Sequence, residues 1–301
     1  MKIAVVPAST RTTSAVIRSL LALPTPVDIK AYYRDTSKAP EEFTSHSNFE
    51  AVKGDVMDDV SLDFSGCQVV VAVPPPFFFN EDMEAVTEKV SVNVKTAIER
   101  ASSVKRLVLL SSIGAHLYEG VGEIKTKTVA ERVLKKTNVP SIAIIRPAYF
   151  MDNWHQQLAT VKSAEPSMVS YLPPSTKLSM VAIKDVGEAA AKEAVVDVES
   201  AHPLKIYELH GPDKDGYSPT QVQELFSQSV GKDVALQDVS PDLAGFLSKM
   251  GVPAGCVPYF VDMTTCLLLP DGVVAKTPDS EAEVVYGSTT LESTISTMVA
   301  A

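Results

Sequence analysis

The segment "AYFMDNWH" (148–155) holds Tyr149, Asp152, Trp154 and His155. Asp152 and His155 are three residues apart, a spacing that sets both on one face of a helical turn. An imidazole titrates near neutrality, and beside a phenol or carboxylate it moves protons, the work of an enolisation or cyclisation. "SSIGAHLY" (111–118) brings Ser112, His116 and Tyr118 close together. Glu123 and Lys127 lie four positions apart on a helical pattern, as an i,i+4 ion pair or as a base with its partner. Lys127, Tyr149, His155, Asp152, Glu123, Ser112 and His116 are therefore the candidate catalytic groups.

The apolar side of such a site has its own signal in "PPPFFFN" (74–80). Three prolines stiffen the turn. Phe77, Phe78 and Phe79, with Tyr118 and Trp154, suit either core packing or the wall of a pocket for a hydrophobic, natural-product-like molecule. Metal chemistry is not expected, because the histidines at 46, 116, 155, 202 and 210 form no ligand-spaced pair. Cys67, Cys256 and Cys266 are scattered, as reduced and buried cytoplasmic thiols are.

These groups need strand ends to stand on. "KIAVV" (2–6), "DIKAYY" (28–33), "FEAVKGD" (49–55), "QVVVAV" (68–73), "RLVLLSS" (106–112) and "SIAIIRP" (141–147) read as strands. Helical patterns near 12–22, 81–102 and 123–136 alternate with them. Apolar runs alternating with helices predict a doubly wound parallel sheet, an α/β Rossmann-like fold with a smaller C-terminal substrate lobe. The expected division is 1–150, with 176–211 returning to it, against a lobe of 151–175 and 212–301. Within these, 184–196 reads as a helix, 205–211 as a strand, 219–230 and 240–250 as helices, and 255–272 as an apolar segment.

The turn after the first strand, within "VVPASTRTTSAV" (5–16), carries no glycine. The G-x-x-G-x-x-G spacing of a dinucleotide-binding turn falls on Pro7, Thr10 and Thr13. Proline excludes a left-handed backbone, and threonine puts a branched Cβ where phosphate needs room. The helix N-terminus still attracts an anion: Thr12, Thr13 and Ser14 can cap it and Arg11 adds charge. If a cofactor is retained, Thr10, Arg11 and Thr12 face its phosphates. Arg34 and Lys38, about twenty residues on, then suit a 2′-phosphate. The leading expectation is no cofactor, with NADPH as the alternative.

A formal net charge of −10 argues against nucleic acid or an anionic membrane as partner. No apolar run has the length of a membrane span, and "MKIAVV" enters a strand directly, without the pattern of a leader. A cytoplasmic protein with a small-molecule ligand is expected; the oligomeric state is not legible.

Three segments carry a family resemblance: "KGDVMDDVSL" (53–62), "NVKTAIERASSVKRLVLLSSIGA" (93–115), and "KTVAERVL" with "IIRPAYFMDN" (127–153). Together they resemble the NmrA-like family of atypical short-chain dehydrogenases/reductases. The resemblance implies a Rossmann domain, NADPH in most members, and substrate under the smaller lobe. It also implies reductases of quinones, enones or imines, redox-sensing regulators, or non-redox biosynthetic enzymes. Lys127 matches the lysine that touches nicotinamide ribose, and Glu123 stands where the acid tyrosine of typical members does. Ser111, Ser112, Asn93, Arg146 and Pro147 match further family positions. The missing glycines favour a nicotinamide-independent isomerisation, cyclisation or dehydration. The alternatives are an NADPH-dependent reductase and a non-catalytic regulator.

Overall fold

Apolar side chains alternate between two faces along the first strand, β1 (Lys2–Val6): Ile3 and Val5 enter one core, Ala4 and Val6 the other. That period of two recurs because the strand is covered on both sides. The chain continues through α1 (Arg11–Leu21), β2 (Asp28–Tyr33), the one-turn α2 (Glu41–Thr44), β3 (Phe49–Lys53) and β4 (Val69–Ala72). Next come α3 (Met83–Arg100), β5 (Arg106–Leu110), α4 (Lys125–Leu134) and β6 (Ser141–Pro147). Beyond them lie β7 (Tyr149–Phe150), the short α5 (Leu158–Val161), β8 (Ser167–Ser170), β9 (Met180–Val181), α6 (Ile183–Ala194) and β10 (Leu204–His210). The final part holds α7 (Pro219–Val230), β11 (Ala235–Asp238), α8 (Leu243–Lys249) and α9 (Val257–Leu268). It ends with α10 (Val273–Lys276), β12 (Glu283–Tyr286) and α11 (Leu291–Ala300). This is a computed structural model, and it describes the chain apart from residues 76, 78, 79, 81, 269–271 and 301.

Eight strands form one parallel sheet in the order β12-β10-β6-β5-β4-β1-β2-β3. Strand order reverses between β1 and β4, the position where ligands of open α/β sheets bind beyond the carboxyl ends. One core lies under α1 and α6, the other under α3 and α4. Each fully buried Ile or Leu in them contributes roughly 1.5–3 kcal/mol. Helices α1 and α6 touch because Gly187 has no side chain: a Cβ there would lie 2.6 Å from the Ala15 backbone.

A third core, including Met151, Trp154, Met180, Phe226 and Ile295, holds the smaller lobe. Its β8 and β11 pair in parallel, as do β7 and β9. The expected boundary at 212 does not describe the sheet, since β12 leaves the lobe and pairs with β10. The apolar segment 255–272 contains α9, which crosses directly over Gly122. That glycine takes φ +54°, and a Cβ on it would lie 2.1 Å from the Tyr259 carbonyl oxygen. Among the described residues no helix is long and apolar enough to cross a membrane, and no cluster could ligate a metal. All three cysteines are free and buried.

Candidate active site

The turn between β1 and α1 is closed without any left-handed residue, and its Val6–Pro7 peptide is cis. Ala8 N–H donates to the Tyr32 carbonyl at 2.8 Å, which holds the turn onto β2. Thr10, rather than Thr12, is the N-cap. Its Oγ1 accepts the Thr13 N–H at 3.0 Å, and Thr13 Oγ1 accepts the Thr10 N–H at 3.2 Å. The two threonines at glycine positions thus form a reciprocal capping box, which satisfies donors that a phosphate would otherwise take. Among the described residues nothing accepts from the N–H of Arg11 or Thr12. Two donors and the positive end of the helix remain available to an anion. The Arg11 guanidinium reaches across the crevice to the Asp152 carbonyl at 2.9 Å and Asn153 Oδ1 at 3.2 Å.

Arg34 and Lys38 stand exposed just beyond β2, and neither joins an acid among the described residues. The nearby Asp35 carboxylate is occupied by the Ser37 hydroxyl and N–H, which hold its pKa low with a further contribution from Lys53. Lys53, at the end of β3, pairs in register with Tyr33 and adds a third exposed cation. It was not singled out from sequence, where only the register between β2 and β3 could have found it. This corner is basic in a chain of net charge −10.

Lys127 projects from α4 to the carboxyl end of β4, where Nζ donates to the Pro74 carbonyl at 2.9 Å. Glu123 is buried, and Oε1 accepts the Thr126 hydroxyl at 3.1 Å. The expected direct ion pair is absent: among the described residues Lys127 bonds the carbonyl instead. Burial raises the Glu123 pKa, countered by Lys127 and the Thr126 bond, and burial lowers that of Lys127, countered by Glu123. Each group's charge thus partly offsets the burial of the other.

The other candidates are dispersed. Ser112 Oγ donates to the Ile113 carbonyl at 3.0 Å, and it is Ser111 that reaches a charged group, Glu131, at 2.6 Å. His116 Nε2 donates to the Thr277 carbonyl at 2.6 Å, while its Nδ1 is buried without a partner among the described residues. Tyr118 is exposed, with its hydroxyl on Glu84 at 2.7 Å. Asn93 donates to the Val56 carbonyl at 2.9 Å. Asp152 Oδ2 accepts the Ile183 N–H at 2.8 Å and so caps α6. His155 is exposed and makes no side-chain bond among the described residues, so the structure does not join it to Asp152. Trp154 is buried in the lobe core, with Nε1 on the Met180 sulfur at 3.5 Å. Phe77 packs on the core under α3, and Phe78 and Phe79 lie outside the described residues.

Tyr149 belongs to the crevice. Its hydroxyl bonds Asn153, its ring meets Trp154 edge-on at 6.2 Å, and burial pushes its pKa up to about 12. It stays protonated near neutrality, a donor rather than a base. Tyr171 is a neighbour and opens a cleft of about 360 Å³, lined also by Pro173, Leu243, Ala244, Val261 and Thr264. Most of its wall is apolar, as a hydrophobic ligand requires.

Sequence reasoning missed the clamp beside this crevice. Arg146 bonds Glu131 twice, at 2.8 and 2.7 Å, and Asp279 at 2.5 Å; the arginine and Glu131 are buried. An arginine closing an otherwise apolar strand was the available signal, since a buried charge has to be paired. The clamp fastens the segment after α10 to the ends of β6 and α4.

Solved structures of the same architecture include several reductases, a nucleoside-diphosphate-sugar epimerase of Staphylococcus aureus and the negative transcriptional regulator NmrA. The triphenylmethane reductase of Citrobacter sp., in complex with NADP(H), superposes with a TM-score of 0.73 at 22% identity over 99% of this chain and all of that one. An NADPH-dependent quinone oxidoreductase of Escherichia coli, in complex with NADPH, gives 0.71 at 19% over 99% of each chain. Leucoanthocyanidin reductase of Vitis vinifera, in complex with NADPH, gives 0.71 at 14% over both full chains. Among curated protein sequences none matches. The family model described as the NmrA-like family matches residues 1–266, which spans the Rossmann sheet through β10, the capped turn, the Glu123–Lys127 unit and α9. On sequence and fold together, the chain belongs to the NmrA-like family.

Proposed function

We propose that the chain is an NADPH-dependent oxidoreductase that reduces a largely apolar, conjugated organic molecule. The observation that carries this reading is Arg34, exposed at the end of β2 without an acidic partner among the described residues and flanked by Lys38 and Lys53. An arginine in that position suits a 2′-phosphate, whereas an acid would suit a free ribose hydroxyl. The open N–H groups of Arg11 and Thr12 suit the pyrophosphate. The residues present therefore fit NADPH at two anionic points. They lack only the close backbone approach that glycine allows, so weak binding is expected.

When bound, NADPH supplies a hydride. Everything else falls to the chain. Arg34 and Lys38 hold the 2′-phosphate end, and Lys127, fixed by the Pro74 carbonyl, orients what lies beyond β4. The buried Glu123, its pKa raised, and Lys127, its pKa lowered, are the groups this chain offers for holding or passing a proton. Tyr149 donates a hydrogen bond toward the acceptor, and the cleft beside Tyr171 keeps an apolar ring system from water.

The capping box favours a second reading, a non-redox step with no nicotinamide, because its threonines use two donors of the helix N-terminus. Turnover separates the two. Oxidation of NADPH is followed with a panel of quinones, enones and triarylmethane dyes. The expected outcome is turnover of at least one, reduced roughly a hundredfold or more in Lys127→Ala. Failure of every acceptor, with unchanged NADPH, rejects the reductase.

A further inference from the structure

Arg11 is the first residue of α1, and its guanidinium crosses the crevice to the smaller lobe. Nη1 donates to the Asp152 carbonyl at 2.9 Å and Nη2 to Asn153 Oδ1 at 3.2 Å. Both acceptors are neutral, for the Asp152 carboxylate is engaged in capping α6 through the Ile183 N–H. Among the described residues, Arg18, Arg100, Arg106, Arg132 and Arg146 each meet a carboxylate, whereas Arg11 and Arg34 do not. The amide that Arg11 holds is shared. Asn153 also hydrogen-bonds the Tyr149 hydroxyl, and the Arg11 charge acts on that hydroxyl, lowering a pKa that burial raises. Arg11, Asn153 and Tyr149 form one chain of polar contacts, from the N-terminus of α1 to the acceptor side of the crevice.

The turn before α1 shows what else the guanidinium is placed to hold. Thr10 and Thr13 take each other's N–H groups, which leaves those of Arg11 and Thr12. Two donors are few for a pyrophosphate that no glycine lets close to the backbone. A pyrophosphate on these two N–H groups lies within reach of the Arg11 side chain, since one of them is its own. Guanidinium and phosphate match as a fork, and a charged acceptor outcompetes a carbonyl and an amide.

We propose that Arg11 is a positioning residue with two alternative acceptors, the Asp152–Asn153 pair of the lobe and the pyrophosphate of NADPH. It thereby couples cofactor binding to the freedom of Asn153 and Tyr149. This rests on the NADPH reading above. When Arg11 turns to the pyrophosphate, Asn153 loses its outer partner and the Tyr149 hydroxyl is released toward the acceptor. Linkage makes the effect mutual: the lobe contact weakens nucleotide binding as much as the nucleotide weakens the contact.

The chain's single tryptophan, Trp154, reports on this contact, being next to Asn153 and edge-on to the Tyr149 ring. The test is Trp154 emission during titration with NADP⁺, with affinities taken from calorimetry. The control is 2′-AMP, which carries the 2′-phosphate and no pyrophosphate. Wild type is expected to show a saturable emission shift with NADP⁺ and none with 2′-AMP. In Arg11→Gln the shift is lost and the NADP⁺ dissociation constant rises at least about tenfold, while that of 2′-AMP is unchanged. Asn153→Ala cuts the contact from the lobe side, so the shift is lost while NADP⁺ binds at least as tightly as to wild type. That variant decides if Arg11→Gln fails to fold. Wild-type NADP⁺ affinity in Arg11→Gln overturns the coupling and leaves the NADPH reading standing. So does binding to wild type without a shift, a shift that survives both variants, or weaker binding by Asn153→Ala. A wild type that binds no NADP⁺ rejects the NADPH reading itself, and the proposal with it.

Discussion

Glu123 is a buried carboxyl, and its protonation links stability to pH. Burial raises its native pKa above the ordinary 4.5. A carboxyl raised on folding stabilises the native state fully below its unfolded pKa, and that stabilisation is lost as pH rises through the native value. Glu123→Gln keeps the neutral shape and has nothing to lose. Its unfolding free energy, relative to wild type, is therefore expected to rise as pH climbs above 4.5 and through the raised native value, in urea melts repeated across pH. A constant difference would mean that the carboxyl is not perturbed. Residue identity was legible from sequence here, but partnership was not. Glu123 and Lys127 read as an ion pair from their spacing, yet the lysine finds the Pro74 carbonyl, which only the β4 turn brings to it. Asp152 and His155 likewise shared a spacing, and the Asp152 carboxylate was drawn to the open N-terminus of α6.

Among the elements, the strands β1 to β6 and their helices were readable because both-face burial leaves unbroken β-branched runs. What β12 and α9 do was not. β12 carries no buried residue, so it has no alternation to read, and α9 is apolar on several sides because it lies across the loops at the ends of β5. The turn before α1 was half legible. Its glycines are visibly missing, but the use of their replacements depends on both hydroxyls meeting across one helical turn. Since Thr10 is the N-cap, Thr10→Ala is expected to destabilise the chain by about 1 kcal/mol and Thr10→Gly by only a few tenths, read from urea midpoints. Equal, negligible effects would show that the box does not hold the helix.

Over the whole molecule, charge is distributed against its own average. The chain is strongly acidic, and a small ligand rich in phosphate would be repelled by it at long range. Arg34, Lys38 and Lys53 reverse that sign locally, beside a helix N-terminus with two open donors. The cofactor question therefore turns on one corner of the fold. Calorimetric titration of the purified chain with NADPH and with NADH addresses it without any knowledge of the substrate. Saturable binding of NADPH at least tenfold tighter than NADH is expected, equivalent to about 1.4 kcal/mol, with the preference abolished in Arg34→Glu. Equal affinity for the two nucleotides, or no saturation by either at millimolar concentration, would contradict an NADPH-dependent enzyme and return the chain to chemistry without nicotinamide.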